Sequence, residues 1–256
     1  MASLTDGAAA KLIAARAGEF LLANRDRSEA DLHETTDTSA DRLIADLLSE
    51  LRPEDAVLSE ELGGSGDRSV AERVWIIDPL DGTREYGEAG RTDWAVHVAL
   101  WERGRLTVGV VGLPARDQVF STDDVVEVAD RPIKRIAVSR SRPPAWAVTV
   151  AEQYGAELVG MGSAGVKAMA VVSGEVDAYL HDGGQYEWDS AAPVAVAQHY
   201  GLHTSRADGS PLVYNKSNPW SPDLVICPGG QAEALLAAIA AVRGVTEDNV
   251  LTKAES

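Results

Sequence analysis

The chain has 256 residues, enough for one large domain or two closely packed lobes, and its 45% apolar and 25% charged residues exclude a disordered chain. Forty acidic against twenty-three basic side chains give a net charge of -17, a field that repels phosphate backbones and argues against nucleic acid as a partner. A single cysteine, Cys227, excludes an intramolecular disulfide and a thiolate metal cage; with no export signal and no apolar run of about 18 residues, the expectation is a cytoplasmic protein without a membrane partner.

Apolar residues at helical spacing (Leu4, Ala8, Leu12, Ala15, Phe20) predict an amphipathic first helix over residues 4–22. A polar stretch, 24–38, follows; then Ala40, Leu43, Ile44, Leu47, Leu48 and Leu51 predict a second helix that Pro53 closes, with Asp37 at its threshold. Ala56, Val57 and Leu58 read as a short buried strand that ends at Glu60, before a flexible loop over 63–67. Residues 74–77 are a second apolar strand, and turn chemistry is expected from Asp78 onward. Residues 94–101, 106–113 and 118–121 predict a strand meander with turns at Gly104 and 114–117. Beyond an acidic connection, 123–130, strands over 136–139, 157–161 and 177–181 alternate with helices over 144–154, 166–172 and 190–200. The segment 231–242, rich in Ala and Leu, reads as a C-terminal packing helix. The expected division is an N-terminal α+β lobe, 1–130, and a C-terminal α/β lobe, 131–256.

The segment Trp75-Ile76-Ile77-Asp78-Pro79-Leu80-Asp81-Gly82-Thr83 concentrates the chemistry. A buried strand delivers Asp78, Pro79 fixes the turn, and Asp81 follows three residues later on the same side. Two carboxylates so close repel unless a cation lies between them. With no His or Cys cluster of the kind zinc takes, the expected cation is magnesium, which prefers hard oxygen ligands. Gly82 removes a Cβ obstruction, and Thr83 offers a hydroxyl and the N–H groups of a helix start, where a phosphate can bind. Taken alone, an Asp-Pro-x-Asp-Gly segment is equally an ordinary Asx turn. Asp189 could also be the N-cap of the helix beginning near Ser190, a role compatible with ligation, and Arg140 and Lys167 could be surface ion-pair formers. The five histidines (His33, His97, His181, His199, His203) show no ligand spacing and read as structural.

The segment 75–83, with Glu60 before it and Trp188-Asp189-Ser190-Ala191-Ala192 after it, resembles the inositol monophosphatase superfamily of metal-dependent, lithium-sensitive phosphatases. Within it, Arg84-Glu85-Tyr86, Val138-Ser139-Arg140-Ser141 and the small-residue loop 162–167 are similar to the CysQ-type branch, the 3′-phosphoadenosine 5′-phosphate (PAP) phosphatases. The resemblance spans roughly residues 37–214. It implies a layered α/β/α/β/α sandwich with two or three Mg2+ ions between the lobes. Glu60, Asp78, Asp81, Asp189 and the carbonyl of Leu80 would hold the metals, and Asp37 and Thr83 would position the attacking water. Asp81, Gly82, Thr83, Ser139, Arg140, Ser163, Lys167 and Asp189 would face the substrate. Asp37 departs from the family pattern, lying in Thr-Thr-Asp-Thr-Ser where Val-Thr-x-x-Asp is usual.

Two metal ions about 3.5–4 Å apart can clamp the attacking and leaving oxygens of an in-line phosphoryl displacement. A haloacid-dehalogenase mechanism needs Asp-x-Asp, and here two residues separate Asp78 from Asp81. A catalytically silent metal-binding protein on the same fold is the rival of another class. The expected partner is a small anionic phosphorylated metabolite: PAP first, with inositol 1-phosphate and fructose 1,6-bisphosphate behind it. No segment marks a homodimer interface, so oligomeric state stays open.

Overall fold

The structure is a computed structural model that describes residues 4–25, 29–63, 65–125 and 128–254, with side chains described outside 29–35 and 245–254. The side chain of His33 and the middle of the acidic connection, residues 126–127, therefore lie outside what is described. The chain runs α1 (Asp6–Asn24), α2 (Glu29–Leu51), β1 (Ala56–Ser59), β2 (Arg73–Asp81), α3 (Thr83–Gly87), β3 (Ala95–Glu102), β4 (Arg105–Leu113) and β5 (Gln118–Ser121). It continues as β6 (Arg135–Ser139), α4 (Ala145–Tyr154), β7 (Glu157–Met161), α5 (Ala164–Val172), β8 (Ala178–Tyr186), α6 (Glu187–His199), β9 (Leu202–Ser205), β10 (Trp220–Pro228) and α7 (Ala232–Ala254).

Two five-stranded sheets result, with orders β1-β2-β3-β4-β5 and β7-β6-β8-β10-β9. In the first, only β1 and β2 run parallel; in the second, β6 is parallel to both β7 and β8 while β10 is antiparallel to its neighbours. Three apolar clusters fill the spaces between layers. One joins α1 and α2 to an outer face of the first sheet through Ile13, Leu21, Ile44, Trp75, Ile77 and Leu100. The middle one fills the space between the two sheets through α5 and α6, with Ile76, Val166, Val194 and Ile226. The third packs α4 and α7 on the far side of the second sheet through Trp146, Val150, Leu235 and Ile239. The architecture is thus the layered α/β/α/β/α sandwich. Each fully buried Ile or Val of these layers contributes roughly 1.5–3 kcal/mol relative to exposure.

Several elements differ from their sequence expectation. The inward face of α1 is Ala9, Ala10, Ile13, Ala14, Ala17 and Leu21, whereas Leu4 is exposed; in an alanine-rich helix several stripes share one periodicity, and close packing selects among them. Helix α2 begins at Glu29 and takes in most of the polar stretch, so Asp37 sits inside it, not at its threshold. Its buried face carries Thr36, Asp37 and Asp41 alongside Ala40, Ile44 and Leu48, and inward polar residues hide a helical period. Strands β9 and β10 have no counterpart in the expectation, though Leu224 to Cys227 are among the most buried residues of the second sheet.

Candidate active site

Strand β2 continues four residues past Ile77 to Asp81 where a turn is expected. On a regular strand residues three apart face opposite sides. Here Asp78 pairs with His97 and Asp81 with Ala95, so three steps on β2 answer two on β3. That extra residue is a bulge, and it returns Asp81 to the side of Asp78. Pro79, which has no N–H to offer a ladder, falls within it. The Asp78 carboxylate closes the bend by accepting from the Leu80 N–H at 3.0 Å. Gly82 then takes φ 93° and caps α3, a conformation open to glycine at little cost.

The Thr83 hydroxyl lies 3.1 Å from Asp37 Oδ2 and 3.2 Å from the Leu80 carbonyl, and its single proton serves one of these acceptors at a time. Asp37, on α2, thereby reaches across to α3. Burial raises its carboxyl to about 7, the Thr83 hydrogen bond pulling the other way and nearby Glu61 adding to the rise.

Ligand atoms of Asp78, Asp81 and Asp189 fall within 4.8 Å of one another. Asp189 is in the first turn of α6, whose N-cap is Tyr186 and not Asp189 itself; its Oδ2 accepts from the Tyr186 N–H at 2.6 Å. Asp81 is held by the Ser163 hydroxyl and by the Gly165 N–H at 2.8 Å, both from the start of α5. Glu60, beyond the end of β1, stands outside this trio and is exposed over the residue as a whole, although its carboxyl is crowded by surrounding atoms. Burial of its carboxyl, then the charges of Asp189 and Asp81, push it up to about 8. Burial and Asp81 likewise raise Asp189 to about 7, and burial with Glu60, Asp81 and Asp189 drives Asp78 well above the carboxylate range. Asp78 Oδ2 is buried with no hydrogen-bond partner. Oxygen ligands crowded this closely, one of them orphaned, fit a hard divalent cation.

Sequence reasoning set His97 aside as structural, yet it is fully buried with Nε2 3.3 Å from Asp81 and Nδ1 3.1 Å from the Trp188 carbonyl. Burial holds it below its ordinary pKa. A histidine inside an otherwise apolar strand is the signal that could have found it. It fits because residue 165 is glycine: a Cβ there would lie 2.1 Å from His97 Nε2. Gly162 is constrained the same way, its would-be Cβ meeting Glu85 at 2.3 Å.

Beside the carboxylates opens a cavity of about 550 Å³ whose lining includes Gly82, Thr83, Ser139, Arg140, Ser163 and Lys167. The substrate-facing residues expected from sequence, apart from Asp81 and Asp189, therefore share one wall. Arg84, from the segment similar to the CysQ-type branch, lines it as well, as does Arg142, which carried no expectation from the sequence. Lys167 is buried, not a surface residue; its Nζ donates to the Ser163 carbonyl at 2.5 Å and sits 5.3 Å from the Tyr179 ring. Burial lowers its pKa, against the pull of Asp81 and Glu85. Arg140 is engaged by Glu85 at 2.7 Å and Glu88 at 2.8 Å, tying β6 to α3 and its end. Ser139 Oγ accepts from the Arg142 N–H at 3.2 Å. A mostly apolar cavity of about 160 Å³ between α2 and β1, lined by Asp41, Leu48, Val57 and Ser59, touches none of the cleft carboxylates. Among the described residues no helix is long and apolar enough to cross a membrane.

With this geometry in place, comparison with known proteins defines the class. Residues 2–243 match the inositol monophosphatase family, and the chain belongs to it. It is 50% identical over 256 residues to a protein of Mycobacterium leprae named 3′-phosphoadenosine 5′-phosphate phosphatase, covering 93% of this chain and 94% of the relative. It is 31% identical to the 3′(2′),5′-bisphosphate nucleotidase CysQ of Escherichia coli K12, over 73% of this chain and 82% of that protein. Among solved structures, CysQ from Bacteroides thetaiotaomicron, a member of the same family, superposes with a TM-score of 0.72 at 27% identity, covering 86% of this chain and 96% of the other.

Proposed function

We propose that the chain is a magnesium-dependent phosphomonoesterase that removes the 3′-phosphate of PAP, giving AMP and phosphate. The observation that carries this reading is the trio Asp78, Asp81 and Asp189 beside a cavity rimmed by arginines. An acidic cluster alone would repel a bisphosphate, and a cationic wall alone would bind it without turnover. The likeness to the M. leprae protein over most of both chains supports PAP as the substrate.

Glu60, Asp78, Asp81, Asp189 and the Leu80 carbonyl would hold the metal. Bound there, Mg2+ supplies positive charge to the phosphate oxygens and makes a water acidic enough to attack. Thr83 Oγ accepts a hydrogen bond from that water and passes its own proton toward Asp37 Oδ2, 3.1 Å away. Asp37, titrating at about 7, is a carboxylate basic enough to receive it. The water oxygen would bond to phosphorus as the P–O3′ bond breaks, and the departing ribose alkoxide would take its proton from solvent water. Gly82 and Thr83, which line the cavity at the start of α3, would lie beside the transferred phosphate, and Arg142 with Arg84, the latter exposed and 3.4 Å from Glu88, would answer the remaining phosphate. Arg140, already neutralised by Glu85 and Glu88, shapes that wall more than it charges it.

Phosphate release from PAP, inositol 1-phosphate and fructose 1,6-bisphosphate at equal concentration tests the reading. PAP is expected to show the highest kcat/KM, with all release lost in excess chelator. Full activity in chelator removes the metal, and a tenfold preference for inositol 1-phosphate removes the substrate assignment.

A further inference from the structure

Glu60 hangs from β1, the edge strand of the first sheet, which pairs with β2 on one side only. A ligand on an edge strand has less backbone support than one on an interior strand. On the open side of β1 the chain returns as a loop: Ser65 and Val57 exchange backbone hydrogen bonds of 2.9 and 3.1 Å. Gly66 lies so close that a Cβ there would be 3.1 Å from the Ala56 Cβ. The loop that pairs with β1 is in turn anchored in the other half of the molecule. Arg68 donates to Asn215 Oδ1 at 3.0 Å, and Asn215 Nδ2 donates back to the Arg68 carbonyl at 3.2 Å.

Asn215 has φ 60°, a left-handed conformation in which asparagine is enriched but which most other side chains leave to glycine. It is held there by Glu187. Its carboxylate, fully buried, accepts from the Asn215 N–H at 2.6 Å and the Lys216 N–H at 2.9 Å. Glu187 opens α6, two residues before Asp189. The chain of contacts thus runs from the loop beside Glu60, through Arg68 and Asn215, to the helix turn that carries Asp189.

We propose that Arg68, Asn215 and Glu187 form a brace that fixes the separation of Glu60 from Asp189 and so sets the affinity of the centre for its divalent cation. The inference rests on the metal-binding reading above and assigns its control to residues outside the carboxylate cluster. These are positioning residues: none of them touches the reacting atoms. Groups that hydrogen-bond a metal ligand directly change affinity by about 10- to 100-fold when removed; the brace acts one contact further out, so its effect belongs at the lower end of that range.

Calorimetric titration of the full chain with Mn2+ tests the proposal without relying on turnover. Arg68→Ala and Asn215→Ala are each expected to weaken Mn2+ binding about tenfold. The double variant should be little worse than either single, because both remove one contact. The sign is diagnostic for Arg68: deleting a cation near an acidic centre favours metal binding on charge alone, so weaker binding requires lost geometry. Arg16→Ala, which removes the same charge from an exposed pair with Glu19 on α1, should leave affinity unchanged. With Mg2+ saturating, kcat on PAP should recover in both brace variants. Unchanged or tighter Mn2+ binding by folded Arg68→Ala, or additive effects in the double variant, overturns the brace. Absence of Mn2+ binding by the parent chain overturns the metal reading instead.

Discussion

Two groups of buried carboxylates in this molecule are treated in opposite ways. In the second sheet region, Asp177 accepts from Arg131 Nε and from the Lys134 and Arg135 N–H groups, each at 2.9 Å. Asp223 accepts from Arg206 Nε at 2.7 Å and the Ala207 N–H at 2.8 Å, with Arg243 at 3.3 Å. Burial raises both pKa values, but backbone N–H groups and arginines outweigh it, and both end below the usual carboxylate range. In the cleft, burial is joined by the repulsion of neighbouring acids, and Asp78, Asp189 and Glu60 end above it. The first group is complete as a folded protein. The second leaves Asp78 Oδ2 buried without a partner, and mutual repulsion sets it apart: Glu187 and Asp41 also end above the ordinary range, but only burial raises them.

The contrast can be broken most sharply at Thr83. Thr83→Ala leaves every carboxylate in place and removes only the hydroxyl that faces Asp37, so kcat on PAP should fall by roughly 10²–10⁴ with KM and magnesium dependence little changed. Near-normal turnover in a well-folded variant would refute the role given to this residue. A smaller and opposite pair of effects is expected from matched amide substitutions. Asp177→Asn exchanges acceptors for a donor facing N–H groups and should destabilise by about 1–3 kcal/mol in urea unfolding, with kcat intact in the folded fraction. Asp81→Asn should leave the metal-free protein no less stable, because a repelling charge is gone, while activity falls and excess magnesium restores part of it. Equal destabilisation by the two would erase the distinction.

The smallest effect is a pH dependence of the metal-free protein. Asp37, Glu60 and Asp189, raised first by burial, titrate in the folded state at about 7, 8 and 7, against ordinary values of 3.8, 4.5 and 3.8. Between these limits the folded state holds more protons than the unfolded one, so stability falls as pH rises. In chelator, the melting temperature should therefore drop from pH 5.5 to 8.5, and added Mg2+ should remove the drop. Asp177 and Asp223 contribute in the opposite sense, their stabilisation being lost only as pH falls through the acid range, below this window. A flat metal-free profile would mean the cleft acids are not frustrated.

Much of this was legible in the sequence because it is local. The apolar strand that delivers Asp78, the glycine at 82 and the alternation after residue 131 are carried by residues adjacent in the chain. What escaped was long-range. Asp37 lies inside a helix whose polar inward face conceals its period. His97 acquires its place only once β3 pairs with β2 across the bulge, and the partners of Arg140 come from α3 and the residue after it. Strand β10, bounded by prolines at 219 and 228, carries no alternation because both of its faces are covered.

The glycines at 162 and 165 set a limit of another kind, on how the cleft can change over generations. A Cβ at 165 would lie 2.1 Å from the fully buried His97 ring, and one at 162 would lie 2.3 Å from Glu85 and push it from its pair with Arg140, so each glycine can gain a side chain only if its neighbour moves or changes. Drift at these four positions is therefore coupled in pairs: His97 or Glu85 must give way before its glycine is free to vary. A chain with this cleft can explore new substrates cheaply along the arginine wall, where side chains end in solvent, and only by two-step routes along the floor.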